Sequence, residues 1–390
     1  MSLLIRSARV VVGDGTPALT NTDVRIASGR IADLSSGLVP TAHERVLEAA
    51  GRVVMPGFVD AHTHALWVGD RLDEFEQRLR GKSYLDISNA GGGIWSTVRS
   101  VRATTQAKLA ESLRERLSSM LHEGTTSVEV KSGYGLSTEH ELKMLRAIRD
   151  AAGSFAGAVV STALLGHALD PEDPDFVRRT VEETLPAIHA EFPGVAVDAY
   201  CEQGAWSLAD CRRLLEAARD LGHPLRLHAD QFHSLGAVEL GLELGFRSLD
   251  HLEATAPADL ARLAKAGVFG VMLPASGFHV DGRYANARAF LDAGGKLVLA
   301  SNCNPGTAPT SSMPFVIALA VRHLGLTVDE AIVATTSRAA ELLGLRDRGL
   351  IAVGQRADLV MLRHRDERQL GYELGGDPTV HVVCGGELIK

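Results

Sequence analysis

The chain has 390 residues, of which 45% are hydrophobic and 23% charged, and its formal net charge is -8. That length is too great for one small core and fits two domains or one large barrel with additions. The acidic balance leaves no basic footprint for nucleic acid, and no run of about 18 apolar residues offers a membrane span.

The four cysteines, Cys201, Cys211, Cys303 and Cys384, are scattered and form no C-x-x-C pair. This argues against a disulfide framework or a thiolate zinc knot and fits a reducing, cytoplasmic setting. The apolar stretch at the N-terminus is too short for a signal peptide and is interrupted by a glycine turn.

In chain order, the first 55 residues read as short strands at 8–12, 23–26, 30–34 and 45–47, separated by Gly and Pro/Ser turns. The last 40 residues look similar, with a turn and strand over 350–362 and two strands flanking Gly385-Gly386. The two chain ends, 1–55 plus 346–390, are therefore expected to pair into one small β-sandwich-like domain. Between them, over 56–345, the pattern changes to strand then helix, repeatedly. Eight apolar runs stand at 53–60, 126–131, 158–165, 196–201, 225–228, 248–251, 268–273 and 297–300. Helical periodicity fills most of the gaps, as at 106–122, 139–152 and 174–191. The prediction is an α/β fold, a (β/α)8 TIM-like barrel. A long insert, 65–124, separates the first two runs and holds a Gly91-Gly92-Gly93 loop. In such barrels an insert after a strand sits at the catalytic mouth.

The ends of these runs carry the chemistry. The first ends in His62-Thr63-His64, the second leads into Lys131-Ser132-Gly133-Tyr134, and the third ends in Gly166-His167. The fourth ends in Tyr200-Cys201-Glu202, the fifth in His228-Ala229-Asp230-Gln231, the sixth in Asp250-His251-Leu252-Glu253, and the eighth in Ser301-Asn302-Cys303-Asn304. The C-terminal ends of barrel strands meet at one face, so these polar side chains are expected to converge. Residues i and i+2 of a strand point the same way, about 6–7 Å apart along the chain. His62 and His64 can thus share an ion, with His228 as a third nitrogen and an open position for water. One H-x-H is weak evidence for a metal; several histidines at strand ends of one barrel are strong evidence. Lys131, on the second strand, is expected in a structural ion pair.

The run from Pro56 to His64, the histidines after the fifth and sixth strands, and the closing Gly349-Leu350-Ile351, Gly354 and Ala357-Asp358-Leu359-Val360 resemble the amidohydrolase superfamily. Within it, Gly69-Asp70-Arg71, the segments 80–84 and 90–94, Glu129 to Leu136, His228 to Gln231, Asp250 to Glu253 and Asn304 to Thr307 look like the imidazolonepropionase family. The resemblance covers nearly the whole chain. It implies a hydrolase that opens the ring of 4-imidazolone-5-propanoate to N-formimidoyl-L-glutamate in histidine degradation. It also implies one divalent metal ion, zinc or iron, and a homodimer. By position, His62, His64 and His228 look like metal ligands, with Asn302 at the fourth metal position. Arg71, Tyr134, His167 and Gln231 look like substrate contacts, and Asn304, Gly306 and Thr307 like contacts to the ring or product. The implied catalytic set is His251, His167, Gln231 and Asn302.

Two positions depart from the family. Asn302 stands where an aspartate is expected, and Gln231 where several other amidohydrolases carry a glutamate. Both usual acid/base carboxylates are thus amides. The expected proton carrier is His251, oriented by Glu253 or Glu202, with His167 or His251 stabilising the oxyanion. Asn302 itself reads as a lineage variant, an engineered substitution or a sign of lost activity. Two other readings stay open: a related hydrolase or deaminase acting on another small ring, and a catalytically silent binding protein.

Overall fold

The structure is a computed structural model that describes residues 2–82 and 92–390. Ser83, Tyr84, Ala90 and Gly91, which belong to the segments 80–84 and 90–94, lie outside the described residues.

The first five strands, β1 (Ser2–Val10), β2 (Leu19–Ala27), β3 (Arg30–Ser35), β4 (Arg45–Glu48) and β5 (Val53–Pro56), come from the N-terminal end. The barrel strands are next: β6 (Phe58–Asp60), β7 (Thr125–Lys131), β8 (Ala158–Gly166), β9 (Ala196–Cys201), β10 (Arg226–Ala229), β11 (Ser248–His251), β12 (Phe269–Met272) and β13 (Lys296–Leu299). The C-terminal end adds β14 (Leu359–Leu362), β15 (Thr379–Cys384) and β16 (Glu387–Leu388).

The terminal strands form one mixed sheet in the order β16-β15-β14-β5-β1-β2-β3, with β4 also paired to β1. Strand β1 changes partner along its length, from β4 at Leu3–Arg6 to β5 at Arg9–Val10. The change coincides with a register shift after Ile5 and with Ser7 at φ 54°. An extra residue of this kind bends a strand and raises its twist. Asp23 accepts from the Ser7 N–H at 2.8 Å and holds the bend. Leu3, Ile5, Val24, Ile26 and Met361 bury the interior of this sheet.

The second sheet runs β6 to β13 in sequence order, with every pairing parallel. Beyond the named strands the backbone continues the ring. The Asn302 N–H bonds to the His62 carbonyl at 3.1 Å, and the His64 N–H to the Cys303 carbonyl at 3.0 Å. The first and last strands therefore meet at the residues expected to bear function.

Two sequence expectations need correction. The apolar run 53–60 is not one strand. Its first half pairs with β1 and β14 in the terminal sheet, and its second half with β7 in the barrel. Gly57 makes the crossing, where an added Cβ would lie 2.4 Å from Thr126 Oγ1, so glycine leaves the room that the Thr126 side chain fills. The helix expected over 174–191 starts at Phe176 and contains a wider turn, Thr180–Thr184, before Leu185–Glu191. Pro186 explains it: proline has no N–H for the regular helical bond, and the wider turn absorbs the defect.

The other helices match their periodicity. Gln106–His122 turns Leu109, Ala110, Leu113, Leu117 and Leu121 inward, and the Thr105 side chain caps its first turn. These faces cover the barrel with one continuous apolar layer. Among the described residues, no helix is long and apolar enough to cross a membrane.

Candidate active site and metal centre

The ends of β6 and β10 bring three imidazoles together. Ring centroids lie 4.5 Å apart for His62 and His228, 5.3 Å for His64 and His228, and 5.4 Å for His62 and His64. One nitrogen from each ring lies within 4.8 Å of the other two. His62 and His228 are each held from behind by a carboxylate. His62 Nδ1 meets Asp250 Oδ2 at 2.6 Å, and His228 Nδ1 meets Asp198 Oδ1 at 3.1 Å. A carboxylate accepts, so the proton sits on Nδ1 and the Nε2 lone pair faces the cluster. His62 Nε2 is buried with no hydrogen-bond partner. His228 Nε2 lies 3.3 Å from His64 Nε2. A buried lone pair with no donor, beside two more imidazole nitrogens, is the environment a divalent cation satisfies. The donor set fits a metal.

Burial keeps the imidazoles neutral. It is the largest cause of the depressed values of His62 and His64, both held well below the ordinary range, with Lys131 adding to it for His62 and His167 for His64. His228 is also lowered by burial, partly opposed by Asp198. Neutral rings are the ligating form.

Beneath the histidines lies a layer of buried charge of which the sequence pointed only to the Lys131 ion pair. Lys131 Nζ bonds Glu129 Oε1 at 2.8 Å and Asp198 Oδ2 at 2.9 Å, so that expected pair is present. Arg226 bonds Asp250 Oδ2 at 2.7 Å and Glu129 Oε1 at 3.2 Å. Three carboxylates thus share two cations, and no side chain in the layer is more than 3% exposed. Burial would raise Asp198, but His228 and Lys131 hold it well below the usual carboxylate range.

Around the mouth, His167 stacks on His64 at 5.0 Å and lies 5.2 Å from Tyr134. Its Nδ1 donates to the Gly133 carbonyl at 2.9 Å. Burial, then His228, pushes it down to about 3. A neutral ring with its proton on Nδ1 offers only a lone pair at Nε2. In this form His167 Nε2 can accept an N–H.

The loop bearing Tyr134 is pinned by Glu141, which accepts from the N–H groups of Gly133, Gly135 and Leu136 at 2.9, 2.8 and 2.8 Å. Gly133 sits at φ 105°, where an added Cβ would lie 3.0 Å from His167 Nδ1.

His251 lies 5.6 Å from His228 and 6.0 Å from His62, centroid to centroid. Its Nδ1 contacts Glu253 Oε1 at 3.2 Å, which turns Nε2 into an acceptor. Of its two expected orienters, only Glu253 touches it. Glu202 is spent on the Phe232 and His233 N–H groups and the His233 ring. Gln231 accepts from the Tyr200 hydroxyl at 2.9 Å, which leaves its NH2 as the free face. Tyr200 itself, 6.0 Å from the His228 ring, stands at the end of the fourth run, where the sequence assigned it no role.

Arg71 is partly buried, with its side chain 8% exposed, Nε and Nη2 on Thr97 Oγ1 at 3.0 and 2.9 Å and Nη1 on Glu74 at 2.7 Å. Its tip reaches the loop after β13: a Cβ on Gly306 would lie 4.0 Å from Nη1. In that loop Asn304 Oδ1 accepts from Gly306 N at 2.8 Å and Thr307 N at 2.7 Å, and its Nδ2 bonds the Asn302 carbonyl at 2.6 Å. The side chain of Asn304 and the two N–H groups are thus used to shape the loop. Asn302 has φ 56° and a buried Oδ1 without a partner. Asp230, His251 and Leu252 are also left-handed. Four such residues at three strand ends mark the mouth, since strained backbone clusters at functional sites.

Residues 81–389 match the model of the amidohydrolase family. The chain is 40% identical to an imidazolonepropionase of Herpetosiphon aurantiacus, covering 100% of this chain and 97% of the relative. It is 42% identical to one of Symbiobacterium thermophilum, covering 99% and 92%. Among solved structures, a triazine hydrolase variant superposes with a TM-score of 0.74 at 19% identity, covering 100% of this chain and 94% of that one. An N-isopropylammelide isopropylaminohydrolase from Burkholderia multivorans gives 0.72 at 21%, covering 100% and 98%. At these identities the two structures speak for the fold alone.

Proposed function

The chain belongs to the amidohydrolase family and, within it, to the imidazolonepropionases, and from that premise we propose that it hydrolyses the ring of 4-imidazolone-5-propanoate to N-formimidoyl-L-glutamate. The observation that carries the reading is the convergence of His62, His64 and His228, with one nitrogen of each within 4.8 Å of the others. These three residues would hold one divalent ion, zinc or iron. When bound, such an ion supplies Lewis acidity, polarising a carbonyl and acidifying water.

The chain's own residues do the rest. Arg71, anchored by Thr97 and Glu74, offers its remaining N–H groups to the propanoate carboxylate. Tyr134 and His167 wall the ring, and His167 Nε2 accepts a ring N–H. The free NH2 of Gln231 faces the developing negative oxygen. His251, with Glu253 on Nδ1, takes a proton at Nε2 and returns it to the departing ring nitrogen. Asn302 contributes a neutral oxygen where a carboxylate would carry charge.

The test is to add the purified protein to fresh imidazolonepropanoate and monitor loss of its ultraviolet absorption. Turnover that disappears on chelation and returns with zinc or iron supports the reading. Unchanged turnover under chelation removes the metal from it. Asn302 favours a second reading, a silent binding protein. Tight substrate binding without turnover, and turnover gained in Asn302→Asp, would select that one.

A further inference from the structure

The H-x-H motif needs both imidazoles held in one orientation, and the sequence around it is apolar and short. What holds it comes from across the barrel. Arg226 lies on β10, two residues before His228, and its side chain is 3% exposed. It makes four kinds of contact. Nη2 bonds Asp250 Oδ2 at 2.7 Å, the same oxygen that His62 Nδ1 meets at 2.6 Å. Nη2 also bonds the carbonyl of Ala61, the residue before His62, at 3.0 Å. Nη1 bonds Glu129 Oε1 at 3.2 Å, and the other oxygen of Glu129 accepts the Thr63 N–H at 3.0 Å. Nε bonds Ser248 Oγ at 3.0 Å, which in turn donates to Asp250 Oδ1 at 2.6 Å.

Every one of these contacts ends on His62 or on a backbone group next to it. Ala61 is gripped directly, Thr63 through Glu129, and the His62 ring through Asp250. A planar guanidinium can serve these acceptors together; an ammonium at the same place cannot span them. We infer that Arg226 is the positioning residue of the metal centre, fixing the His62 ring and its Nδ1–H form through Asp250, Ala61 and Glu129. The inference rests on the proposed metal site and assigns a role to a residue that does not itself touch a metal or substrate.

The test uses Arg226→Lys, which keeps the buried charge, and Asp250→Asn, which weakens the acceptor behind His62. Two readouts separate a positioning role from a merely structural one. The first is the zinc dissociation constant of the full chain by chelator competition. Loss of such an outer partner costs about 10–100-fold in affinity, and R226K is expected to bind zinc at least about 10-fold more weakly than the unaltered protein, with D250N in the same range. The second is the imidazole tautomer in the metal-free protein, read from 15N-labelled histidine. His62 is expected as Nδ1–H in the unaltered chain and as a mixture of tautomers in R226K, while His228 keeps its form. R226K that melts earlier yet binds zinc with unchanged affinity and keeps His62 in one tautomer would overturn the inference. If the unaltered chain takes up no zinc, the metal reading falls, and the His62 tautomer still decides the role of Arg226.

Discussion

The two interiors of this molecule are built on opposite terms. The terminal sheet closes over Leu3, Ile5, Val24, Ile26 and Met361, an apolar core. The barrel, just under its mouth, buries Glu129, Lys131, Asp198, Arg226 and Asp250 at the same depth. Burying charge costs several kcal/mol per ion unless every charge is paired, so the layer is not what a stability requirement alone would select. Each charge in it is paired, and two of the carboxylates end on ligand histidines. The comparison teaches that linked charge gathers under the site; the buried acids of the terminal sheet, Asp23 and Asp358, instead serve nearby backbone N–H groups and Arg356.

That contrast can be broken at several points. The largest effect belongs to His228→Ala, which is expected to abolish metal uptake, measured by metal analysis, and to reduce turnover to background. His251→Gln is expected next, with kcat lower by about 10²–10⁴-fold, the usual contribution of a general base, and metal content unchanged. Lys131→Met leaves Glu129 and Asp198 short of a cation and should destabilise the metal-free protein by about 3–5 kcal/mol in urea unfolding. Ile26→Val, in the terminal sheet, should cost only about 0.5–1.5 kcal/mol and leave kcat and KM unaltered. A fall in activity there would contradict the separation of the two interiors.

The smallest effect is on pH. Burial raises the Glu44 carboxyl, but the Thr41 N–H, Arg25 and Ser2 together draw it down to about 2. Its folded value lies below the ordinary 4.5, so its stabilising contribution is complete above about 4.5 and is lost as the pH falls towards 2. Glu44→Gln should flatten that part of the melting-temperature curve by about 2 °C or less.

The barrel was legible in the sequence because each strand is a short apolar run and nearly every run ends in a polar residue. The run 53–60 misled because its two halves are equally apolar and only Gly57 separates them. The three-histidine cluster was legible through the i, i+2 spacing of His62 and His64 and the position of His228 at another strand end. The charged layer was harder to see. Its signal is present: Glu129 and Lys131 alternate on β7, as do Arg226 and His228 on β10. Their partners, however, lie far away in sequence, 97 residues for Arg226 and Glu129 and 165 for Arg226 and the Ala61 carbonyl, and only the closed barrel pairs them. Glu141 was missed for a different reason, since its partners are only 5 to 8 residues away. It sits in the first turns of a helix, where an acidic residue is ordinary, yet its carboxylate secures the Tyr134 loop. The proton position on His167 could not be read at all, because it depends on the Gly133 carbonyl.

The central claim is that three imidazoles hold one cation at the barrel mouth. X-ray absorption at the metal edge of the zinc- or iron-loaded protein tests it most directly, since it counts the imidazole groups around the ion. The account predicts one ion per chain with three histidine nitrogens at about 2.0–2.1 Å, falling to two in His228→Ala if any metal is retained. A spectrum without imidazole scattering, or one unchanged by that substitution, would contradict it.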